Sequence, residues 1–306
     1  MGVIRTTALT AIAPAVWGTT YIVTSELLPA DHPLFSGLVR ALPAGLLAIA
    51  LTRTLPTGVW WPKAAILGVL NIGAFFPLLF LTAYHLPGGV AATLNATQPL
   101  VVAVLAVILL GQPLSGWRLG WGVVGMLGVA LIVLRGEATL DAVGIIAGIG
   151  AAASMATGVT LTKRWGRPEN VGPMAFAGWQ LSAGGLFLLP ITLLIEGVPD
   201  TVTTMGIGGY AWLGLIGGLL TYTLWFSGIG RLPVTSAALL GLLSPIVAAV
   251  LGAVFLDQLL GALQLLGFVL ALAAIAAGQF NPTLDKPQAP LPTDQQMATT
   301  SRTTPS

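Results

Sequence analysis

The stretch LPGGVAATLNATQPLVVAVLAVILLG at residues 86–111 has a counterpart 146 positions later, LPVTSAALLGLLSPIVAAVLGAVFLD at residues 232–257. Both copies begin with Leu-Pro and carry a proline at the same interior place, Pro99 and Pro245. Each exceeds the roughly 20 apolar residues that a helix needs to cross a bilayer. An interior proline removes a backbone hydrogen bond, so we predict a kink in both helices. The chain therefore contains a duplicated membrane-spanning segment.

The duplication extends toward the N-terminus of each copy with a slightly different spacing. There the offset is 140 residues, which pairs Gly18 with Gly158 and Pro33 with Pro173. One insertion of six residues in a loop of the second half accounts for the change from 140 to 146. Two offsets that a single insertion relates are difficult to obtain by chance, so we predict that the chain consists of two homologous halves.

Apolar stretches of about 20 residues predict ten spans in all. They are too long for strands and lack the alternation of a membrane barrel, so the predicted fold class is an all-α integral membrane protein. The predicted spans are Thr6–Leu28, Pro33–Leu51, Ala64–Leu86, Gly89–Leu110, Trp117–Leu134, Ala142–Leu161, Pro173–Ile195, Tyr210–Ile229, Val234–Leu256 and Leu260–Phe280.

The predicted spans divide into a first five-helix repeat at residues 6–135 and a second at residues 140–280. Because five is an odd number, the second half must be inverted relative to the first. Inverted repeats of this kind place a solute site near the bilayer midplane between the halves. We therefore expect transport by alternating access.

The charges between the spans predict the orientation. With the N-terminus inside, nearly all Lys and Arg residues fall on the cytoplasmic side, which is the distribution expected for an inner-membrane protein. Both termini are then cytoplasmic. Residues 281–306 are rich in Pro, Thr and Gln, so we predict a disordered cytoplasmic tail.

Composition excludes several classes of protein. Hydrophobic residues make up 56% of the chain and charged residues 7%, whereas soluble domains carry about 25% charged residues. A formal charge of +2 without a basic cluster argues against nucleic-acid binding. With no cysteine and two histidines, the chain offers no disulfide and no obvious metal site, and it lacks a GxxxxGK[ST] motif, so we expect no cofactor.

The repeated motif and the AVWGTTY segment at residues 15–21 resemble the drug/metabolite transporter superfamily, in particular its EamA-type ten-helix members. Arg40 lies where the family often has an arginine. The resemblance implies export of amino acids, metabolites or drugs, and no enzymatic activity. Gln112 and Gln258 occupy positions where family members frequently carry Glu, so no role that depends on ionisation there is carried over.

Arg40 is the candidate for recognising a negatively charged group. It lies well inside the second span, where a charge costs about 2.5–3.5 kcal/mol on insertion scales and therefore normally faces a cavity or a partner. One interpretation is a contact with a substrate carboxylate. The other is a structural bond to backbone carbonyls or a side chain that reaches to the interface.

Two helix faces combine aromatic and polar side chains within the spans rather than at their ends. Trp17, Thr20 and Tyr21 share a face of the first span, and Tyr222 and Trp225 lie together on the eighth. We predict that these faces line the solute cavity.

Four amide side chains also lie within predicted spans. They either bind substrate or join helices by hydrogen bonds. The four are Asn71, Asn95, Gln98 and Gln180, the last of which is the repeat counterpart of Arg40.

The predicted function is export of amino acids or related zwitterionic or anionic solutes. Carboxylates are almost absent from the spans, so we expect uncoupled or weakly coupled exchange down a solute gradient, with Glu26 as the best coupling candidate. Efflux of hydrophobic or cationic drugs, a membrane scaffold and a membrane-embedded enzyme are the alternatives. The expected partners are the small-molecule substrate and the lipid bilayer, and the GxxxG motifs leave a homodimer open.

Overall fold

The computed structural model describes residues 2–29, 32–86, 88–133, 141–255 and 261–280. Within these residues the chain forms ten helical rods, α1 to α10, in place of the ten predicted spans. The expected tail at residues 281–306 lies outside the described residues. The uninterrupted rods are α1 (Val3–Leu27), α2 (Pro33–Thr52), α5 (Gly116–Val133), α6 (Ala142–Trp165), α7 (Pro173–Ile195) and α10 (Ala262–Gly278).

The other four rods are interrupted, and they are interrupted at matching places in the two halves. A π-helical segment divides α3 and α8, and a two-residue turn divides α4 and α9. The segments of α3 are Trp60–Gly68, Val69–Gly73 and Phe75–His85, and those of α8 are Thr204–Ala211, Trp212–Leu220 and Thr221–Arg231. The segments of α4 are Gly88–Asn95 and Gln98–Leu110, and those of α9 are Val234–Leu240 and Leu243–Phe255.

Seven of the described helices are long and apolar enough to cross a membrane. Two further apolar helices, Gly116–Ile132 and Ala262–Gly278, are shorter. The prediction of an all-helical, multi-pass membrane protein is confirmed. Several bounds differ from the prediction. The first helix begins at Val3 rather than at Thr6, α3 at Trp60 rather than at Ala64 and α8 at Thr204 rather than at Tyr210, and α6 continues past Leu161 to Trp165.

Counterpart helices of the two halves pack against each other through glycines. In the contact of α2 with α7, a Cβ on Gly45 would meet Ser182, and a Cβ on Gly185 would meet Leu42. These two contacts are equivalent under the offset of 140. Since the partner number falls as the α2 number rises, α2 and α7 run antiparallel. One buried cluster of side chains extends across both halves around this contact.

The carboxylate of Glu196 joins the same two helices at one end of the bundle. Glu196 follows the last residue of α7, and its oxygens accept hydrogen bonds from the backbone N–H groups of Leu34 (2.9 Å) and Phe35 (2.7 Å). An anion at a helix N-terminus satisfies open N–H groups and interacts favourably with the helix dipole. Glu196 therefore fixes the beginning of α2, the helix that carries Arg40.

Candidate transport site

Arg40 lies at the contact between the halves, with 8% of its surface exposed. Its guanidinium donates hydrogen bonds to the carbonyl of Gly217 in α8 (3.0 Å) and to the hydroxyl of Thr20 in α1 (3.3 Å). It also lies 5.4 Å from the centre of the Phe76 ring, within range of a cation–π contact. The only charge predicted deep within a span thus contacts three other helices, α1, α3 and α8, from both halves.

The carbonyl of Gly217 is a shared acceptor because it lies in the π-helical segment of α8, where the regular ladder of backbone hydrogen bonds is disturbed. Besides Arg40, it accepts from the indole N–H of Trp17 (3.1 Å) and from the hydroxyl of Thr221 (2.6 Å). The Trp17 indole also donates to Thr221 (3.0 Å). The interruption of α8 therefore creates a polar centre at the depth of Arg40.

The predicted aromatic faces of α1 and α8 meet at this centre. The Trp17 ring lies 5.1 Å from that of Tyr222 and 5.3 Å from that of Trp225, in tilted and edge-on arrangements. Tyr222 and Trp225 are fully buried, whereas Trp17 is half-buried. Trp17 is therefore the aromatic residue of the three that a solute could reach. The side chain of Tyr21 lies outside the described residues.

A second polar contact occupies the repeat-equivalent place and also joins the two halves. The amide N–H of Asn71, in the π-helical segment of α3, donates to the Gln180 oxygen (2.9 Å) and more weakly to Thr162 (3.4 Å). Asn71 and Gln180 are both completely buried. Under the repeat, Gln180 corresponds to Arg40 and Asn71 to Gly217. The two contacts therefore repeat one arrangement, with a charged group in only one of the copies.

Asn95 and Gln98 flank the break in α4, and both are partly exposed. The Gln98 oxygen lies 3.9 Å from the place of a Cβ on Gly241, in the matching break of α9. Pro99 and Pro245 follow these breaks and lack the N–H group that would continue the ladder. The interruptions of α4 and α9 thus lie close to each other.

Glu26 lies in an exposed position near the end of α1 and accepts a hydrogen bond from Ser25 (3.2 Å). Six residues separate it from Thr20, which corresponds to about 9 Å along a helix. It is therefore at the rim of the bundle rather than beside Arg40. Its role in coupling stays a prediction.

Sequence reasoning missed three groups that contact the predicted residues: the Gly217 carbonyl, the Thr221 hydroxyl and the Phe76 ring. A backbone carbonyl has no signature in the sequence. The repeat does contain a signal, because Gly217 is the counterpart of the polar Asn71.

Comparison with known families decides the class of protein. The model of the EamA-like transporter family matches residues 5–134 and 142–277. The chain belongs to this family. The earlier resemblance is thereby confirmed, as is the expectation of a membrane transporter rather than an enzyme.

The relatives of this EamA transporter include exporters. Protein PecM of Dickeya dadantii is 46% identical over 86% of this chain and 88% of its own length. A probable amino-acid metabolite efflux pump of Salmonella typhimurium is 24% identical over 89% and 94%. The threonine/homoserine exporter RhtA of Salmonella typhimurium is 28% identical over 70% and 69%.

A solved crystal structure is similar in fold to this EamA transporter. The TM-score is 0.75 at 20% sequence identity, and the match covers 92% of this chain and 99% of the other. At this identity the likeness concerns the fold alone. It agrees with the all-helical architecture described above.

Proposed function

We propose that this EamA transporter exports small zwitterionic or anionic metabolites, amino acids among them, by alternating access. The observation that carries the proposal is the buried guanidinium of Arg40 at the contact between the halves. A buried cation is costly in a membrane and is retained where it has a task. A carboxylate is the group that a guanidinium binds best, through two parallel hydrogen bonds.

The surroundings of Arg40 allow it to exchange partners. When the guanidinium turns to a substrate carboxylate, the Gly217 carbonyl keeps its hydrogen bonds from Trp17 and Thr221. No buried acceptor is then left without a donor at this carbonyl, so the exchange avoids the cost of an unsatisfied polar group. The Trp17 ring offers an apolar surface beside the same place.

Two halves related by inversion supply the two states of alternating access, because exchanging their conformations turns an inward-open cavity into an outward-open one. The antiparallel packing of α2 with α7 and the equivalent interruptions of α3 with α8 support this relation between residues 6–135 and 140–280. The end of the bundle with the basic loops, where Arg118, Lys163 and Arg231 lie, is cytoplasmic by the positive-inside rule. Export then means uptake of the solute at that end and release at the opposite one.

Counterflow of labelled amino acids into proteoliposomes tests this proposal. The variant Arg40→Gln is compared with Arg5→Gln, which removes the same charge from an exposed position at the start of α1. Loss of a charge-assisted hydrogen bond of about 1.5–3 kcal/mol predicts a decrease in uptake of at least about tenfold for Arg40→Gln. Arg5→Gln should transport like the wild type. Full counterflow by a well-folded Arg40→Gln variant would contradict the proposed role.

Efflux of hydrophobic or cationic drugs is a second candidate, which the half-buried Trp17 ring favours because aromatic faces bind flat solutes and cations. The two candidates differ in their dependence on Arg40. Removing this cation should leave drug efflux unchanged or improve it, whereas the export of anionic or zwitterionic solutes should fail. A panel of both solute types, assayed with wild type and Arg40→Gln, distinguishes them.

A further inference from the structure

A cavity of about 520 Å³ lies at the end of the bundle with the basic loops, where the two halves meet. The first half contributes α4 and the loop that leads to α5, and the second half contributes the end of α6 and the junction of α8 with α9. Thr20 and Gly217, which accept hydrogen bonds from Arg40, do not line this cavity. It is lined by Ala103, Ala106, Gln112, Pro113, Ser115, Arg118, Lys163, Arg231, Leu232, Pro233 and Thr235.

The cavity brings three cations together from distant parts of the chain: Arg118, Lys163 and Arg231. Among the described residues that form its wall, none is acidic. The positive-inside rule accounts for basic residues at this end, but not for their convergence on a cavity. Arg164 and Arg167 follow Lys163 closely in the chain and do not line it. A cleft lined by charges of one sign focuses the field and concentrates ions of the opposite sign.

The ammonium group of Lys163 is held in place by the backbone. It donates hydrogen bonds to the carbonyls of Gly230 (3.0 Å) and Leu232 (2.9 Å), at the end of α8. An ammonium has three N–H donors, so one remains for a ligand in the cavity that Lys163 lines. Arg118 is fixed in a similar manner, because its Nε donates to the carbonyl of Gly278 (3.4 Å).

We propose that this cavity is an anion site that binds a phosphate or carboxylate group through Lys163 and Arg231, with Arg118 adding to the field. The hydroxyls of Ser115 and Thr235 supply further donors, and the volume is within the range of small-ligand clefts. The anionic group is that of a soluble metabolite or that of a phospholipid headgroup. Both present the same chemistry to the cations.

The test uses the full chain in phosphatidylcholine nanodiscs and the double variant Lys163→Gln/Arg231→Gln. The matched control is Arg164→Gln, which removes an exposed cation next to Lys163 without touching the cavity wall. Binding of inorganic phosphate is measured by titration calorimetry. Retention of phosphatidylglycerol, added to the nanodisc lipid, is measured by native mass spectrometry. The double variant should bind the relevant probe at least about tenfold more weakly, and Arg164→Gln should bind within about twofold of the wild type.

Each outcome decides the proposal. A double variant that loses phosphate binding but still retains phosphatidylglycerol supports a site for soluble anions. A double variant that loses phosphatidylglycerol but still binds phosphate supports a site for lipid headgroups. Absence of binding in the wild type, or an equal loss in Arg164→Gln, overturns it. If the double variant does not fold, the single variants Lys163→Gln and Arg231→Gln are measured instead. Each is expected to weaken binding about threefold. Because the readout is binding rather than transport, the result is independent of the function proposed for Arg40.

Discussion

The hydrogen bond between Asn71 and Gln180 permits a quantitative test of whether these amides hold the helices together or serve the substrate. Both side chains are completely buried, and their amides are 2.9 Å apart. We choose Asn71→Leu and Gln180→Met, which keep the approximate size of each side chain. Either change alone removes the main partner of a buried amide. The expected loss of stability is about 1–3 kcal/mol for each single variant.

The double variant removes both partners at once. Its loss of stability should therefore be smaller than the sum of the losses in the two single variants. Coupling energies between polar side chains in membrane proteins average about 0.6 kcal/mol and reach about 1.7 kcal/mol. The short distance and complete burial place this pair in the upper part of that range, so we expect about 1 kcal/mol or more. Reversible unfolding in mixed micelles, with far-UV circular dichroism as the signal, gives the four free energies of the cycle.

A second cycle on Ser25→Ala and Glu26→Gln provides the control. This pair also shares a hydrogen bond, at 3.2 Å, but it is exposed at the end of α1, so its coupling should be indistinguishable from zero. A coupling below about 0.3 kcal/mol for Asn71 and Gln180 would refute the structural role, because that value is within the usual deviation from additivity. Loss of counterflow in variants with such a small coupling would then favour a substrate role for the amides.

Three further outcomes follow from the structure. Gly45→Ala should destabilise the protein by about 1–3 kcal/mol in the same unfolding assay, because the new Cβ meets the backbone of α7, whereas Gly120→Ala, with nothing within 4 Å, should not. The hydrogen bond from the N–H of Gly144, and then the nearby His85, lower the pKa of the Asp141 carboxyl below its usual value. The stability that this carboxylate contributes is therefore present above the usual pKa of an aspartate and is lost as the pH falls through the lowered pKa. Thermal unfolding of Asp141→Asn should lack this acid dependence. Counterflow should persist without a pH gradient and in Glu26→Gln, and transport that requires an imposed gradient would argue against uncoupled exchange.

Much of the fold could be predicted, because the length of an apolar stretch and its terminators are local properties. The first residues of α2 and α7 could be predicted from Pro33 and Pro173, because a proline at the first position of a helix costs no hydrogen bond. The π-helical segments could not be predicted. Val69–Gly73 and Trp212–Leu220 contain no proline, and their altered hydrogen bonding depends on the helices packed against them.

The candidate site could be predicted only as far as side chains have distinctive chemistry. A charge in a membrane-spanning segment is rare, so Arg40 could be predicted as a site residue. The aromatic residues Trp17 and Tyr222 could be predicted from their spacing along the helices. Their contact joins residues about 200 positions apart and requires the packing of α1 on α8. The bond from Arg40 to Gly217 was not foreseeable, since every residue carries a carbonyl and only the interruption of α8 makes this one available.

The two polar contacts also bear on how many substrate sites this EamA transporter contains. In one contact, the α2 side chain is a cation that bonds a π-segment carbonyl of α8. In the other contact, the equivalent α7 side chain is a neutral amide that bonds the equivalent residue of α3. At the first place a carboxylate meets a full opposite charge and can bind the guanidinium through two hydrogen bonds, whereas at the second it meets only neutral amides. We therefore expect one substrate per protein, bound by the Arg40 contact. The Asn71–Gln180 contact, which joins α3 of the first half to α7 of the second, would then serve the packing of these helices, which agrees with the coupling predicted for that pair.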